Sequence, residues 1–207
     1  MTGAERRCRD DIRTRPTPGG AGIIPSLEHD GEHNGEHDDV THSHGMHVVH
    51  HGPRQAPPLV LIHGSGSSGG SWNPVVPTLA EQHHVIRVDL PGHGRSSPAP
   101  SYDVPGQAGR LAAVLDGLGV GPVTAVGHSS GGYIAERSVP ERLTALDVPI
   151  LVIFGAADPR WDPSSVHRYD TVPNARVEQL PGVGHFPMLE APEQIGELLL
   201  AFATPGR

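Results

Sequence analysis

A serine in the middle of the chain lies in a sequence pattern that can make its hydroxyl a nucleophile. Ser129 is the central residue of Gly127-His128-Ser129-Ser130-Gly131, which fits the pattern G-x-S-x-G. The preceding segment PVTAV has the composition of a buried strand, and the following segment GGYIAE that of a helix start. A serine at such a tight turn occupies strained backbone, and a glycine two residues away on either side leaves room for it. We therefore predict that Ser129 is a nucleophile; the alternative is a glycine-rich turn with a passive serine.

A nucleophilic serine needs a base, and the base needs a carboxylate that orients it. His185 lies in the segment LPGVGHFPMLEAP, between a predicted strand and the last predicted helix. Asp158 follows the apolar segment ILVIFG, so it lies just past the C-terminal end of a predicted strand, where open α/β sheets carry their sites. Asp162 is a competing carboxylate farther from the strand end. Each residue alone could be a turn aspartate or a loop histidine, but the chain order Ser129, Asp158, His185 favours a triad.

The negative charge that develops on an attacked carbonyl needs preset N–H donors, an oxyanion hole. One donor is predicted to be the backbone N–H of Ser130, directly after the nucleophile. The second is predicted in the loop after LVLIHG, at the backbone N–H of Ser65. The alternative for this loop is a turn that only ends a strand.

Apolar segments with the composition of buried strands alternate with segments of helical spacing. This alternation predicts an α/β fold, with a mostly parallel, doubly wound sheet and helices on both faces. The predicted strands are MHVVHH, PPLVLIHG, HVIRVDL, PVTAVG, PILVIFG and ARVEQL; the predicted helices are SWNPVVPTLAEQ, GQAGRLAAVLDGLGV, SGGYIAERS, ERLTALDV and APEQIGELLLAFA.

The first 44 residues differ in composition from the rest of the chain. They contain an arginine-rich start and then EHDGEHNGEHDD, with almost nothing apolar to bury. We predict that residues 1–44 are a disordered tail rich in histidine and acid, followed by a domain over residues 45–203. Histidines of this region, His29, His33, His37, His42, His44 and His47, could bind Zn²⁺ or Ni²⁺ weakly. Their spacing fits no fixed tetrahedral site, so we predict no metal site here.

Charge and cysteine content exclude several classes of function. The chain has 207 residues, a formal net charge of −8 and 15 basic residues, all of them arginine. An acidic chain without a basic patch argues against nucleic acid as a partner. Cys8 is the only cysteine, so no internal disulfide is possible. No apolar run is long enough to cross a membrane and no signal peptide is evident, so we expect a cytoplasmic protein; the oligomeric state cannot be read from the sequence.

Taken together, the segments LVLIHGSG, VDLPGHGRSS, VGHSSGG, LVIFGAADP and GVGHFPMLEAPEQI resemble the α/β-hydrolase fold superfamily. The resemblance covers residues 45–203 and is strongest to single-domain esterases, lactonases and perhydrolases. It implies serine-based acyl transfer without metal or organic cofactor. Ser129 would be the nucleophile, His185 the base and Asp158 the orienting acid, with Ser65 and Ser130 as oxyanion donors. A serine at the nucleophile position argues against dehalogenase-like relatives, which have aspartate there.

The chain departs from this family between the nucleophile and the acid. Residues 130–157 are too few for the full helix, sixth strand and helical cap that the family usually places there, and we find no strand between Ile134 and Pro149. Either the strand ending at Gly155 pairs directly with the strand ending at Gly127, which would displace Asp158, or a gap stays open in the sheet. The sequence therefore predicts a serine hydrolase of a small-molecule ester, thioester or lactone. The alternative is a catalytically impaired member of the fold with a binding or other non-enzymatic role.

Overall fold

The apolar segments of the sequence form the strands of two β-sheets. A computed structural model describes residues 39–132, 134, 149–160 and 174–204, all within one unit of the chain. The larger sheet has the strand order β1-β2-β4-β3-β5, and the smaller sheet pairs β6 with β7. These strands are β1 Asp39–Ser43, β2 Met46–His51, β3 Pro58–Ile62, β4 His84–Val88, β5 Thr124–Gly127, β6 Ile150–Gly155 and β7 Ala175–Leu180.

Helices cover both faces of the larger sheet because its central strands are apolar on both sides. In β3, Leu59 and Leu61 pack in a core that includes residues of the C-terminal helix, whereas Val60 and Ile62 pack against the helix that precedes β5. The helices are a 3-10 turn Gly69–Trp72, α1 Val76–Ala80, α2 Val104–Gly117, α3 Pro187–Glu190 and α4 Pro192–Ala203; residues 130–132 and 134 are also helical. Pairing of β3 with β4 and β5, and of β6 with β7, is parallel. The predicted fold class, a mostly parallel α/β sheet, is confirmed.

The ordered sheet begins earlier than the sequence predicts. Residues 39–43 were expected to belong to the disordered tail, but they form β1 and pair antiparallel with β2. An ion pair between Asp39 and Arg54 joins this strand to the loop after β2. Strand β1 forms through backbone pairing with β2, which does not require an apolar pattern in the residues of β1. The rest of the predicted tail, residues 1–38, lies outside the described residues.

The sheet is interrupted between β5 and β6. Strand β5 pairs with β3 and β6 pairs with β7, and within the described part of the chain no ladder joins β5 to β6. A cleft of about 160 Å³ lies between them and is lined by Val126 on one side and by Leu151 and Ile153 on the other. We call this the strand-gap cleft. Of the two alternatives for the shortened chain, direct pairing of β5 with β6 is not found among the described residues. The expectation of no strand over residues 134–149 falls largely outside the described residues.

Neither a membrane span nor a metal cluster is found in the described residues. None of the helices described is long and apolar enough to cross a membrane. In the same residues, no group of three or more histidine, cysteine or acidic side chains could hold a metal ion. Of the histidines considered for weak metal binding, His29, His33 and His37 lie outside the described residues.

Buried histidines on β2 and β4 make the fold sensitive to acid. His50 is 4% exposed, and its Nδ1 lies 2.9 Å from Nη1 of Arg54 and 3.0 Å from Nε2 of His84. Burial, with the nearby charges of Arg54 and His84, lowers the pKa of His50 from 6.5 to about 4. The unfolded chain therefore binds a proton at pH values where the folded chain does not, so stability is complete above pH 6.5 and falls as the pH drops toward 4.

We expect His50 to make the free energy of unfolding roughly 1–2 kcal/mol smaller at pH 5 than at pH 7.5. Urea unfolding at the two pH values measures this difference. His50→Gln is expected to reduce it, because glutamine takes up no proton in this pH range. Equal pH dependence in the wild type and His50→Gln would contradict the assignment.

Candidate active site

The turn after β5 holds Ser129 in the backbone conformation that the sequence pattern predicts. Ser129 has a φ of 51°, in the left-handed region that residues other than glycine rarely adopt. A Cβ on Gly127 would lie 2.3 Å from the carbonyl oxygen of Gly131, and a Cβ on Gly131 would lie 2.5 Å from the carbonyl oxygen of His63. Both contacts are far too short, so both glycines are required for this turn. The turn thus presents Ser129 at the C-terminal end of β5.

Asp158 and His185 meet despite the shortened scaffold. His185 Nδ1 lies 2.7 Å from Oδ2 of Asp158, and both side chains are 9% exposed. The other carboxylate oxygen of Asp158 accepts from the backbone N–H of Arg160 at 2.8 Å. With Nδ1–H donating to the carboxylate, Nε2 of His185 keeps its lone pair and can accept a proton. The smaller sheet accounts for this contact, because Asp158 follows β6 and His185 follows β7.

The connection between Ser129 and His185 is indirect in this structure. No hydrogen bond joins the Ser129 hydroxyl to the His185 imidazole among the residues described here. Their turns are linked instead by His128, whose Nε2–H donates to the backbone carbonyl of His185 at 2.6 Å. Burial lowers the pKa of His128, so its ring is held neutral in this position. Hydrogen bonds between catalytic groups are often long or poorly aligned without substrate. The missing hydrogen bond therefore does not argue against His185 as the predicted base for Ser129.

The two predicted oxyanion residues contact each other. The backbone N–H of Ser65 donates to the hydroxyl oxygen of Ser130 at 2.8 Å, and the two hydroxyl oxygens lie 2.9 Å apart. The structure therefore brings Ser65 to the start of the helix after Ser129. It also shows that the Ser65 N–H has a partner, so an oxyanion would have to take the place of the Ser130 hydroxyl.

Asp89 and His63, to which the sequence analysis gave no role, support the loop that carries Ser65. Asp89 follows β4, and its carboxylate accepts from the backbone N–H groups of Gly69 at 2.7 Å and Arg95 at 2.9 Å. His63 is fully buried; its Nε2 accepts from the N–H of Leu90 at 2.9 Å, so its Nδ1 carries the hydrogen that is donated to the Gly64 carbonyl at 2.8 Å. His63 belongs to the segment LVLIHGSG and Asp89 to VDLPGHGRSS, but these patterns do not state which backbone groups the two side chains bind.

Glu190 was also missed, and it holds the loop on both sides of His185. Its carboxylate accepts from the N–H of Gly184 at 2.6 Å and from the N–H of Phe186 at 3.0 Å. The two hydrogen bonds flank the histidine in the chain, so they fix the backbone from which the imidazole projects. Glu190 lies in the segment GVGHFPMLEAPEQI, but that pattern does not state which backbone groups its carboxylate binds.

On the prediction that His185 is the base of an ester hydrolase, we expect Glu190→Gln to lower kcat roughly 10-fold, because the amide can accept only one of the two N–H groups and the His185 loop loosens. KM for a small ester and the melting temperature should change little. Glu193→Gln is the matched control, since Glu193 is exposed in the first turn of α4. Equal kinetics for the two variants would show that Glu190 does not position the base.

Comparison with known proteins agrees with this architecture. The sequence model of the alpha/beta hydrolase fold family matches residues 57–137. The solved structure of carboxylesterase CesB (YbfK) from Bacillus subtilis is similar with a TM-score of 0.71 over 83% of this chain and 93% of that chain, at 19% sequence identity. Together with the sheet order and the turn at Ser129, these matches show that the chain has the α/β-hydrolase fold.

Curated relatives match only part of the chain. The magnesium-chelatase 30 kDa subunit of Rhodobacter capsulatus is 37% identical over 52% of this chain and 37% of its own length. A pimeloyl-acyl-carrier protein methyl ester esterase of Aeromonas hydrophila is 41% identical over 44% of this chain and 37% of its own length. The chain thus matches little more than a third of the length of these two relatives. The relatives include esterases and a lipase, and the similar structures include carboxylesterases.

Proposed function

We propose that the chain is a serine hydrolase that cleaves a carboxylic ester, thioester or lactone through an acyl-enzyme on Ser129. The observation that carries this proposal is the 2.7 Å contact between His185 and Asp158, which leaves Nε2 of the histidine as an available base. The strained turn at Ser129 and the esterase relatives add support. The substrate is a small molecule, and the reaction as proposed uses only side chains, backbone N–H groups and water.

The proposed reaction has two steps. In the first, the Ser129 hydroxyl oxygen attacks the ester carbonyl while His185 Nε2 takes its proton, and the histidine then gives that proton to the leaving alcohol. In the second, water attacks the acyl-enzyme with His185 again as base, and the acid and free Ser129 are released. Asp158 stays ionised and stabilises the imidazolium in both steps. The backbone N–H groups of Ser130 and Ser65 would stabilise the oxyanion, with the Ser130 hydroxyl moving aside.

Labelling by a fluorophosphonate tests the proposal directly. An active serine displaces fluoride and becomes covalently phosphonylated, so we expect the probe to modify the full chain at Ser129, as located by peptide mass spectrometry. Pre-incubation with a slowly hydrolysed ester should reduce the labelling. Labelling at another residue, or none under conditions where the protein is folded, would contradict the assignment of Ser129.

A second candidate, a non-catalytic member of the fold with a binding role, is favoured by one observation. The Ser65 N–H is occupied by the Ser130 hydroxyl, so one predicted oxyanion donor is not free. A folded protein that is neither labelled by the fluorophosphonate nor active on p-nitrophenyl acetate would favour this candidate over the hydrolase.

A further inference from the structure

The strand-gap cleft reaches the predicted nucleophile. Its lining includes Ser129 at the end of β5, Val126 on β5, and Leu151 and Ile153 on β6. Trp72 and Leu199, which are 3% and 5% exposed, belong to the same lining and to the core under α4. A group attached to the Ser129 oxygen would therefore have this cleft beside it, with the aliphatic side chains of Val126, Leu151 and Ile153 along it.

We propose that the strand-gap cleft holds the acyl chain of the substrate, and that the protein prefers esters with an unbranched acyl group of about six carbons. This inference rests on the proposed function, because the acyl chain is placed by its bond to Ser129. No carboxylate or guanidinium is among the described residues of the lining, so an uncharged chain is the chemistry that fits. Burial keeps the one ionisable group of the lining, His128, neutral by lowering its pKa.

The side chains of the two bordering strands that line the cleft are aliphatic, and polar groups, among them Ser129 and His128, make up a comparable share of the lining. Alternate residues of a strand point to the same side, so Leu151 and Ile153 face one way and Val152 between them faces the other. Val126 and Ile153 both pack against the core that contains α4. An acyl chain that enters from Ser129 would remove these side chains from water and gain free energy with each methylene group.

The volume of the cleft limits the length of the chain. An apolar cavity of about 150 Å³ accommodates a benzene-sized ligand of six carbons. The strand-gap cleft, at about 160 Å³, has the same capacity. Each buried methylene should raise kcat/KM roughly fourfold until the space is filled, and further carbons should add nothing.

A series of p-nitrophenyl esters from acetate to dodecanoate tests the inference on the full chain. We expect kcat/KM to rise on the order of 100-fold from acetate to hexanoate and then to level off or fall. A flat dependence on chain length, with acetate turnover and Ser129 labelling intact, would overturn the acyl-chain inference and leave the proposed function standing. Absence of both labelling and acetate turnover would overturn the two together.

Three variants on β6 locate the effect in the cleft. Leu151→Phe fills part of the space, so the hexanoate-to-acetate ratio of kcat/KM should fall roughly 10-fold or more. Leu151→Ala enlarges the space and should move the preferred ester to a longer chain, a change that partial misfolding cannot produce. Val152→Phe, on the opposite face of the same strand, is the control and should keep the wild-type ratio. The same ratio in all of these proteins would place the acyl chain elsewhere.

Discussion

Ser129→Ala is expected to lower kcat for ester hydrolysis by roughly 10⁴- to 10⁶-fold, because the covalent intermediate can no longer form. The rest of the site stays in place, since the variant removes one oxygen and retains Asp158 and His185. Burial of the core is unaffected, so the melting temperature should stay close to that of the wild type. Stopped and continuous assays with p-nitrophenyl hexanoate measure kcat, and circular dichroism measures melting.

Ser97→Ala provides the control for the loss of a hydroxyl. Ser97 is exposed, and its two described hydrogen bonds use its backbone: its N–H donates to the carbonyl of Gly45, and its carbonyl accepts from the N–H of Gly92. Alanine retains both. This variant should hydrolyse the ester and react with the fluorophosphonate as the wild type does. Turnover by Ser129→Ala within a few-fold of the wild type would exclude Ser129 as the nucleophile.

Asp158→Asn is expected to lower kcat about 10⁴-fold while leaving the fold intact. Asparagine has nearly the shape of aspartate, but its amide group can donate toward Nδ1 of His185. The imidazole would then carry its proton on Nε2, where it cannot take the proton of Ser129. Loss of the carboxylate charge also removes the stabilisation of the imidazolium that forms in both steps.

Asp162→Asn is the matched control because Asp162 was the competing carboxylate in the sequence. It lies outside the described residues, and the 2.7 Å contact of Asp158 with His185 accounts for the orienting acid without it. We expect Asp162→Asn to retain wild-type kcat. A large loss in Asp162→Asn, with little loss in Asp158→Asn, would reverse the assignment of the acid.

The strands and the turn at Ser129 were predictable because their causes are local. Runs such as LVLIHG and ILVIFG are apolar enough to be buried on both faces, and Gly127 is required by its contact with Gly131 in the same turn. Gly131 was marked by the G-x-S-x-G pattern, although the contact that requires it is with the backbone of Ile62 and His63 at the end of β3. The fold class follows from the alternation of such segments with helices. The strand β1 was missed because its residues carry no apolar pattern, and its pairing with β2 depends on the partner strand.

The interruption of the sheet could not be decided from the sequence, because it depends on which strands pair across a long connection. Both an edge-to-edge pairing of β5 with β6 and an open gap satisfied the spacing of the residues. The hydrogen bonds of Ser65 to Ser130 and of Glu190 around His185 were also beyond prediction. Each depends on a side-chain rotamer and on the approach of separate loops, which a motif does not specify.

The two sheets carry different residues of the proposed catalytic site. The nucleophile is carried by the five-stranded sheet, whereas the acid and the base are carried by the pair β6 and β7. Between these parts the described residues supply side-chain packing and the hydrogen bond from His128 to the His185 carbonyl, but no backbone ladder. A small relative displacement of the two sheets would change the distance between serine and histidine without breaking a single strand pairing. In this chain the strand pairing of the larger sheet does not by itself set the distance between the proposed nucleophile and base, which depends on the side-chain packing that the two sheets share.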